Sequence, residues 1–358
     1  MQAPIYHIIW IPSHLQHALR TYERVGGIFV ALSQEAKEVC EQFGLPVEQY
    51  DINQLAGDTS AEVNAKNTTN ALNKKENTVL FYDNHPALCH IVTKLPLART
   101  FLLWHGNSIK QWHTLWDGKQ LNDFTYITAL GSYREKNLRD VGVEASKILP
   151  VGLARWDAMQ KLQKQDKSLL RSKLGIPQDM KVVSYLPTWE GPTTVSNIGL
   201  KLARRLPDDV YFIFRPHPKT PPDVIRQYTE IIDQKKNASY LPEKTATDDE
   251  LLQIYVDSDI FVGEISSVII DSILMYKPIV FIMNAYLGKH QEFFEPIEEL
   301  YNACTHIDIN SMKNVGNIIH EVDENVDRDV WEKTINKMFY LDNYDELTNI
   351  LMSPAEEK

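Results

Sequence analysis

Short apolar runs alternate with amphipathic stretches along the whole chain. In the first half, the strand-like runs are residues 6–11, 28–32, 79–82, 100–104, 126–130 and 148–151. Helical patterns separate them, such as residues 33–43, where Ser33 is suited to cap the helix. The runs are rich in β-branched residues and show no polar alternation, which is typical of parallel strands buried on both faces.

The second half of the chain repeats this pattern. Its strand-like runs are residues 182–186, 211–215, 259–262 and 278–283, and its helical patterns include 223–236, 248–257 and 266–276. Strand–helix alternation in both halves predicts an α/β protein with two Rossmann-like domains. We place the N-terminal domain at residues 1–153, the C-terminal domain at 154–328 and a helical tail at 329–358.

Length and charge narrow the range of functions. A chain of 358 residues fits two domains at about 150 residues each. The 37 Lys and Arg against 48 Asp and Glu give a net charge of −11, which argues against nucleic-acid binding and leaves at most peripheral contact with a membrane. Cys40, Cys89 and Cys304 are too few and too scattered for a disulfide framework, and no apolar stretch is long enough to span a bilayer. We therefore expect a cytoplasmic protein.

Ligands of open α/β sheets bind at the carboxyl ends of the strands, so the residues just after each strand are the first candidates for a site. His105 follows the run 100–104 and is itself followed by Gly106. A histidine with a pKa near 6.5 can act as a general base at that place. The alternative is a structural histidine that bonds to a loop carbonyl.

Three places in the second half are suited to bind phosphate. Arg215 and His217 follow the run 211–215, and an arginine fork beside an imidazole donor suits a diphosphate. Ser266 and Ser267 begin a helical pattern, where hydroxyls and unpaired backbone N–H groups can bind an anion. Thr188 follows the run 182–186. The alternatives are a surface ion pair for Arg215 and simple helix capping for the serines.

Two further residues are candidates on position alone. Arg155 lies at the crossing between the domains, where it could reach a phosphate or pair with Asp157. Asp271 follows Ser266 by five residues and could face the cleft or orient a partner. No nicotinamide, P-loop or serine-hydrolase motif occurs, and no complete set of metal ligands is evident.

Five short motifs follow one another along residues 100–283. They are W-H-G-N-S-I-K from Trp104, G-L-A-R-W-D from Gly152, L-P-T-W from Leu186, R-P-H-P from Arg215, and E-I-S-S from Glu264 with Asp271 and Y-K-P-I-V-F after it. In this order they resemble the CDP-glycerol glycerophosphotransferase family of teichoic-acid synthesis. That family's motifs run W-H-G-T-P-x-K, G-x-x-R-x-D, A-P-T-W, R-x-H-P and D-Y-S-S-x-x-x-D.

The resemblance implies a GT-B fold, in which two Rossmann-like domains with parallel sheets face a cleft. It implies metal-independent transfer of a phospho-polyol unit, with no other cofactor, from a CDP-linked donor to a hydroxyl of a cell-surface polymer precursor. CDP-glycerol is the expected donor, and the acceptor is glycan or lipid-linked. The roles carried over are a general base for His105 and a hold on the leaving group for His217. The resemblance also implies a set of residues that bind the donor and its phosphates. They are Arg155, Thr188, Arg215, Ser266, Ser267 and Asp271.

The chain departs from the family pattern at several motif positions. Asn107 and Ser108 replace Thr-Pro, Glu190 replaces an arginine, and Glu264 with Ile265 replaces Asp-Tyr. These changes leave the donor open. A nucleotide-sugar glycosyltransferase or epimerase of the same architecture is the alternative, and a non-catalytic nucleotide- or glycan-binding paralogue is the second alternative. Release of CMP indicates a phosphodiester product, whereas release of a nucleoside diphosphate indicates a glycoside.

Overall fold

Two parallel sheets, one in each half of the chain, form the framework of the protein. The computed structural model describes residues 4–50, 71–106, 118–164, 169–188, 194–242, 249–283 and 295–354. The first sheet has seven strands in the order β3-β2-β1-β4-β5-β6-β7. They are β1 (Ile5–Ile9), β2 (Ile28–Ala31), β3 (Val47–Gln49), β4 (Thr78–Phe81), β5 (Arg99–Leu102), β6 (Tyr126–Thr128) and β7 (Ile148–Leu149).

The second sheet has six strands in the order β10-β9-β8-β11-β12-β13, again all parallel. They are β8 (Lys181–Tyr185), β9 (Val210–Phe214), β10 (Ala238–Tyr240), β11 (Ile260–Gly263), β12 (Ile279–Ile282) and β13 (Thr305–Ile307). The central strands β9, β11 and β12 are buried along their whole length. Two parallel sheets of this kind confirm the predicted fold class.

Helices connect the strands and cover the sheets. In the first half they are α1 (Ser13–Val25), α2 (Gln34–Gln42), α3 (Pro86–Thr93), α4 (Gly118–Leu121) and α5 (Ser132–Asp140). The second half contains α6 (Ala154–Gln163), α7 (Leu169–Leu174), α8 (Gly199–Arg205), α9 (Pro222–Ile232), α10 (Asp249–Asp257), α11 (Ser267–Ser272), α12 (Glu298–Ala303), α13 (Val315–Glu321), α14 (Arg328–Met338) and α15 (Tyr344–Met352). Within the described ranges, no helix is both long and apolar enough to cross a membrane.

The sequence pattern located the inner strands and missed three at the edges. All ten predicted runs contain a strand, and Ser33 caps α2 by accepting a hydrogen bond from the Ala36 N–H at 3.1 Å. The strands β3, β10 and β13 were not predicted. Each has three residues and lies at or next to a sheet edge, where a strand needs no continuous apolar run because its side chains are less buried.

Strand order reverses beside the first strand of each half. From β1 the chain builds β2 and β3 on one side and then returns to β4 on the other, and β8 has the same relation to β9 and β11. Such a switch point opens a crevice between the loops that follow the two strands, and ligands bind there in open α/β sheets. The topology therefore predicts one crevice between the loops after β1 and β4, and another between the loops after β8 and β11.

The C-terminal helices return to the first half of the chain. Helix α14 packs against α5 and α12, and α15 packs against α1. The segment between them is fastened by backbone contacts, since the Tyr340 N–H donates to the Leu130 carbonyl at 2.7 Å. The Gly152 N–H donates to the Asn343 side chain at 3.2 Å. The tail thus links both halves.

We expect Gly152→Ala to destabilise this crossing. A Cβ atom at Gly152 would lie 1.9 Å from the Tyr340 carbonyl oxygen and 2.8 Å from the Trp156 ring, so the backbone must shift. Overpacking of this kind costs about 1–3 kcal/mol of unfolding free energy, measurable by denaturant titration. The control is Gly316→Ala in α13, where a Cβ meets only ordinary contacts at 3.6 Å or more. Equal stability of the two variants would contradict the close approach.

Candidate active site

Three side chains from adjacent strands of the first sheet meet at its carboxyl edge. His14 follows β1 at the start of α1, Asp83 follows β4, and His105 follows β5. Their potential ligand or hydrogen-bonding atoms all lie within 4.8 Å of one another. This cluster occupies the crevice that the topology predicts.

The backbone directly before His105 is strained. Trp104 has φ of +60°, in the left-handed region that costs a non-glycine residue about 1–3 kcal/mol. Its buried indole offsets this cost by donating from Nε1 to the Thr128 carbonyl at 2.6 Å, with the Arg134 guanidinium 5.0 Å from the ring centre. The strained turn fixes the direction in which His105 leaves the sheet.

The protein backbone sets the tautomer of His105. Its Nδ1 lies 2.9 Å from the Tyr82 carbonyl oxygen, and because a carbonyl only accepts, Nδ1 must carry the proton. The neutral ring therefore has its lone pair on Nε2, as a general base requires. The side chain is 49% exposed. Both the structural contact and the geometry of a base, which were alternatives from sequence, are thus present together.

Asp83 lies between two imidazoles. Its Oδ2 is 3.3 Å from His14 Nε2 and 3.8 Å from His105 Nδ1, while its Oδ1 accepts from the His85 N–H at 2.9 Å. Burial raises the pKa of Asp83, but the contact with His14 and the electrostatic effect of the two imidazoles outweigh it and lower the pKa to about 2. Asp83 is therefore ionised at any pH of interest.

Arg155 joins the other side of this cluster. It donates to the His105 carbonyl at 3.1 Å and lies 3.1 Å from His17 Nδ1. Burial, and then the charge of Arg155, hold the pKa of His17 well below its usual value. Burial also lowers the pKa of His105, although Asp83 opposes the change. Both rings are neutral at pH 7.

Neighbouring strands of the second sheet bring the predicted phosphate-binding residues together. Thr188 follows β8, Arg215 follows β9, and Ser266 and Ser267 follow β11. The loops are tied by hydrogen bonds, because the Thr188 N–H donates to Glu264 Oε2 at 3.0 Å and the Arg215 N–H donates to the Tyr185 carbonyl at 3.1 Å. The carboxylate of Glu264, one of the departures from the family pattern, thus holds the Thr188 loop.

Arg215 is held in place by an acidic partner. The guanidinium is largely buried and donates from Nη1 to Glu250 at 3.2 Å, and Glu250 also lies 3.2 Å from Lys173 Nζ. This fixes the guanidinium before any ligand binds.

His217 has the opposite tautomer to His105. The Lys219 N–H donates to His217 Nδ1 at 3.1 Å, so Nδ1 is the acceptor and the proton of the neutral ring lies on Nε2. Nε2 of His217 is therefore a donor, whereas Nε2 of His105 is an acceptor. Pro216 and Pro218 flank His217 and restrict the backbone of its loop.

The two halves touch at the beginning of α11. Ser266 caps the helix, with its hydroxyl accepting from the Ile269 N–H at 3.3 Å. A Cβ at Gly106 would lie 3.0 Å from Ser267 Cβ, so glycine lets the loop after β5 approach the serines without a tight contact. His105 is thereby next to the serines in space.

Arg155 and Asp271 form a buried ion pair where the second half of the chain meets the first. Arg155 is 6% exposed and Asp271 is fully buried, and Asp271 also accepts from Trp156 Nε1 at 3.1 Å. Asp157, the other partner considered for Arg155, pairs with Arg24 at 2.8 Å. Asp271 orients Arg155, which in turn holds the His105 carbonyl.

His14, His17 and Asp83 were not among the predicted site residues. Asp83 and His14 belong to no motif, but they follow β4 and β1 closely, and the strand-end rule applied to every strand would have found them. Several motif residues lie outside the described residues, namely Asn107, Ser108, Lys110, Trp189 and Glu190.

Comparison with known proteins gives this architecture a class and then a family. The wall teichoic acid polymerase TagF, solved after a soak with CDPG, has a TM-score of 0.64 over 98% of this chain and 87% of that chain at 15% identity. The S. aureus MnaA–UDP co-structure has a TM-score of 0.66 at 11% identity over 100% and 99% of the chains. The fold is that of the GT-B transferases.

A family model narrows the class. The model of CDP-Glycerol:Poly(glycerophosphate) glycerophosphotransferase matches residues 64–300, so the chain belongs to that family and the resemblance of its motifs is confirmed. A teichoic acid glycerol-phosphate transferase of Staphylococcus aureus (strain NCTC 8325 / PS 47) is 21% identical over 215 residues, or 52% of this chain. The matched region spans 53% of that relative, so the chain matches about half of its length.

Asp271→Asn is expected to weaken the contact between the halves. Removing the charge of one partner leaves Arg155 buried without its counter-ion, which costs about 3 kcal/mol or more of unfolding free energy. Asp140→Asn is the control, because Asp140 pairs with Lys136 at an exposed position and we expect no change in its Tm. An Asp271→Asn protein that unfolds together with the wild type in thermal and denaturant scans would contradict the structural role of this pair.

Proposed function

We propose that this protein transfers a phospho-polyol unit from a CDP-linked donor to a hydroxyl of a cell-surface polymer precursor, with release of CMP. The observation that carries the proposal is the pair of opposite tautomers in His105 and His217. One ring offers an acceptor and the other a donor, at strand ends of the two halves. A transfer reaction needs both, because the attacking hydroxyl loses a proton and the leaving phosphate gains charge.

His105 acts as the general base. Its Nε2 takes the proton of the acceptor hydroxyl while the hydroxyl oxygen attacks the polyol-bearing phosphorus of the donor. A new P–O bond forms and the bridging P–O bond breaks, so its electron pair leaves with CMP. The ring is neutral at pH 7 because its pKa is lowered, and it is therefore ready to accept a proton.

His217 and Arg215 act on the departing phosphate. The Nε2–H of His217 donates to an oxygen of the CMP leaving group, and the guanidinium of Arg215 binds the diphosphate. Ser266, Ser267 and Thr188 contribute hydroxyl donors around it. Arg215 is fixed by Glu250 beforehand, so little side-chain entropy is lost when the donor binds. We propose that this set handles the phosphate charge without a metal ion.

The donor and acceptor classes rest on the family. Its name specifies CDP-glycerol as the donor and poly(glycerophosphate) as the acceptor polymer, and TagF was solved after a soak with CDPG. We propose CDP-glycerol for this chain, with a glycan or lipid-linked acceptor. A cytoplasmic location, at the inner face of the membrane for a lipid-linked acceptor, stays a prediction.

A donor screen tests the proposal directly. Calorimetry with CDP-glycerol, CDP-ribitol, CMP, UDP-sugars and GDP-sugars is expected to give binding of a CDP-polyol and of CMP alone among these ligands. Turnover with a glycerophosphate-terminated acceptor should release CMP. Binding of a nucleotide sugar, with release of a nucleoside diphosphate, would instead support the glycosyltransferase alternative and contradict phospho-polyol transfer.

Replacing each histidine separates the two roles. His105→Ala should lower kcat about 10²–10⁴-fold and leave the Kd for donor unchanged, since the base contacts the acceptor. His217→Ala should lower kcat and weaken donor binding together. His320→Ala is the control, because His320 lies on α13 beside Asp209 at the surface. Full activity of His105→Ala would exclude the base assignment, whereas donor binding without turnover in the wild type would favour a binding paralogue.

A further inference from the structure

We infer that Asp83, held by His14, is the positioning residue and counter-charge of His105 during proton transfer. The inference rests on the proposed function, because it concerns how the base of that reaction works. Neither residue belongs to a motif that the family resemblance identifies. Their role follows from where the first sheet places them.

The orientation of Asp83 is fixed on both of its oxygens. Oδ1 accepts from the His85 N–H at 2.9 Å, at the turn that leads into α3, and this bond directs Oδ2 toward the imidazoles. Oδ2 lies 3.8 Å from His105 Nδ1, which is too far for a hydrogen bond. At that distance the carboxylate acts on His105 through its charge.

Two different groups therefore act on the Nδ1 side of His105. The Tyr82 carbonyl accepts a hydrogen bond from Nδ1–H and sets the tautomer, and the Asp83 carboxylate supplies negative charge on the same side of the ring. Nε2 points the opposite way from Nδ1 across the ring. When Nε2 accepts a proton, the ring becomes an imidazolium, and its attraction to Asp83 increases.

Asp83 is the counter-charge among groups that otherwise oppose a cation on His105. The described titratable and charged groups facing the ring are His14 and His17 on α1, Asp83 after β4, and Arg155 on α6. Arg155 and His14 disfavour the charged form of His105, and Asp83 favours it. Without Asp83, the protonated base would face the positive guanidinium of Arg155 with no carboxylate among these neighbours.

His14 contacts the carboxylate of Asp83. It is 2% exposed, its Nε2 lies 3.3 Å from Asp83 Oδ2, and its ring lies 5.7 Å from the ring of His105 with an angle of 23° between the planes. Within the described parts of the chain, neither Nδ1 nor Nε2 makes a well-aligned hydrogen bond, so Nε2 meets Asp83 Oδ2 at ion-pair distance. A buried imidazole with one contact is costly, so its position is explained by what it does for Asp83.

Asp83→Asn tests the inference, because the amide keeps the shape and the Oδ1 acceptor but loses the charge. We expect kcat to fall about 10- to 100-fold, with KM and the donor Kd unchanged. This loss is smaller than the one expected for His105→Ala, because the base itself is still present. The negative charge raises the pKa of His105, so its loss lowers that pKa further. The acidic limb of the kcat/KM profile should therefore move to lower pH.

A second readout needs no substrate. The His105 ring signal in NMR, assigned by its absence in His105→Ala, should titrate at lower pH in Asp83→Asn than in wild type.

His14→Gln keeps an N–H donor for Asp83 and should retain most activity, whereas His14→Leu should lower kcat in the same direction as Asp83→Asn. Asp140→Asn is the surface control and should match wild type. If Asp83→Asn does not fold, the His14 pair gives the same comparison.

Three results would overturn the inference. The first is wild-type kcat in Asp83→Asn, or in His14→Leu where that pair is used, while His105→Ala is inactive. The second is a His105 ring that titrates at the same pH in that variant as in the wild type. The third is a stoichiometric transition metal in the wild type that is lost in that variant, since two histidines and a carboxylate also suit such an ion. Full activity of His105→Ala would instead contradict the proposed function itself.

Discussion

A buried guanidinium at the junction of the two halves constrains the rest of the site. Arg155 pairs with Asp271 of the second half, donates to the carbonyl of His105, and contacts His17. A buried arginine that loses its partners is strongly destabilising, so all three contacts must form together. The loop that carries the base therefore has one position, and that position is defined by a residue from the opposite half.

The backbone sets which nitrogen carries the proton in the two histidines to which we assign the base and donor roles. A carbonyl beside Nδ1 of His105 and an N–H beside Nδ1 of His217 leave the two rings with opposite properties at Nε2. Main-chain partners keep their donor or acceptor character at every pH, so these tautomers do not depend on the titration of another side chain. Trp104 bears the strain of this arrangement, and its anchored indole explains why a bulky residue occupies a left-handed position.

Sequence predicted the parts of this structure that depend on local pattern. Continuous apolar runs identified the inner strands, and residues just after them identified His105, Arg215, His217 and the serines. The short strands at the sheet edges lack such runs and were missed. The pairing of Arg155 with Asp271 spans 116 positions, and the tautomers depend on atoms of neighbouring turns. Neither can be deduced from residue types, because both arise only when the strands are side by side.

The net charge of −11 does not oppose a diphosphate ligand, because the charge at the site is arranged locally. Acidic residues are part of the second half's wall: Glu250 holds Arg215, and Glu264 holds the Thr188 loop. These carboxylates reduce the excess positive charge, yet they fix the positions of Arg215 and of the Thr188 loop. Binding then depends on preorganised hydrogen bonds more than on total charge. The same logic applies in the first half, where Asp83 fixes charge beside His105. Each wall therefore uses an acidic residue to fix a basic one, which supplies local positive charge for the dianionic donor that we propose.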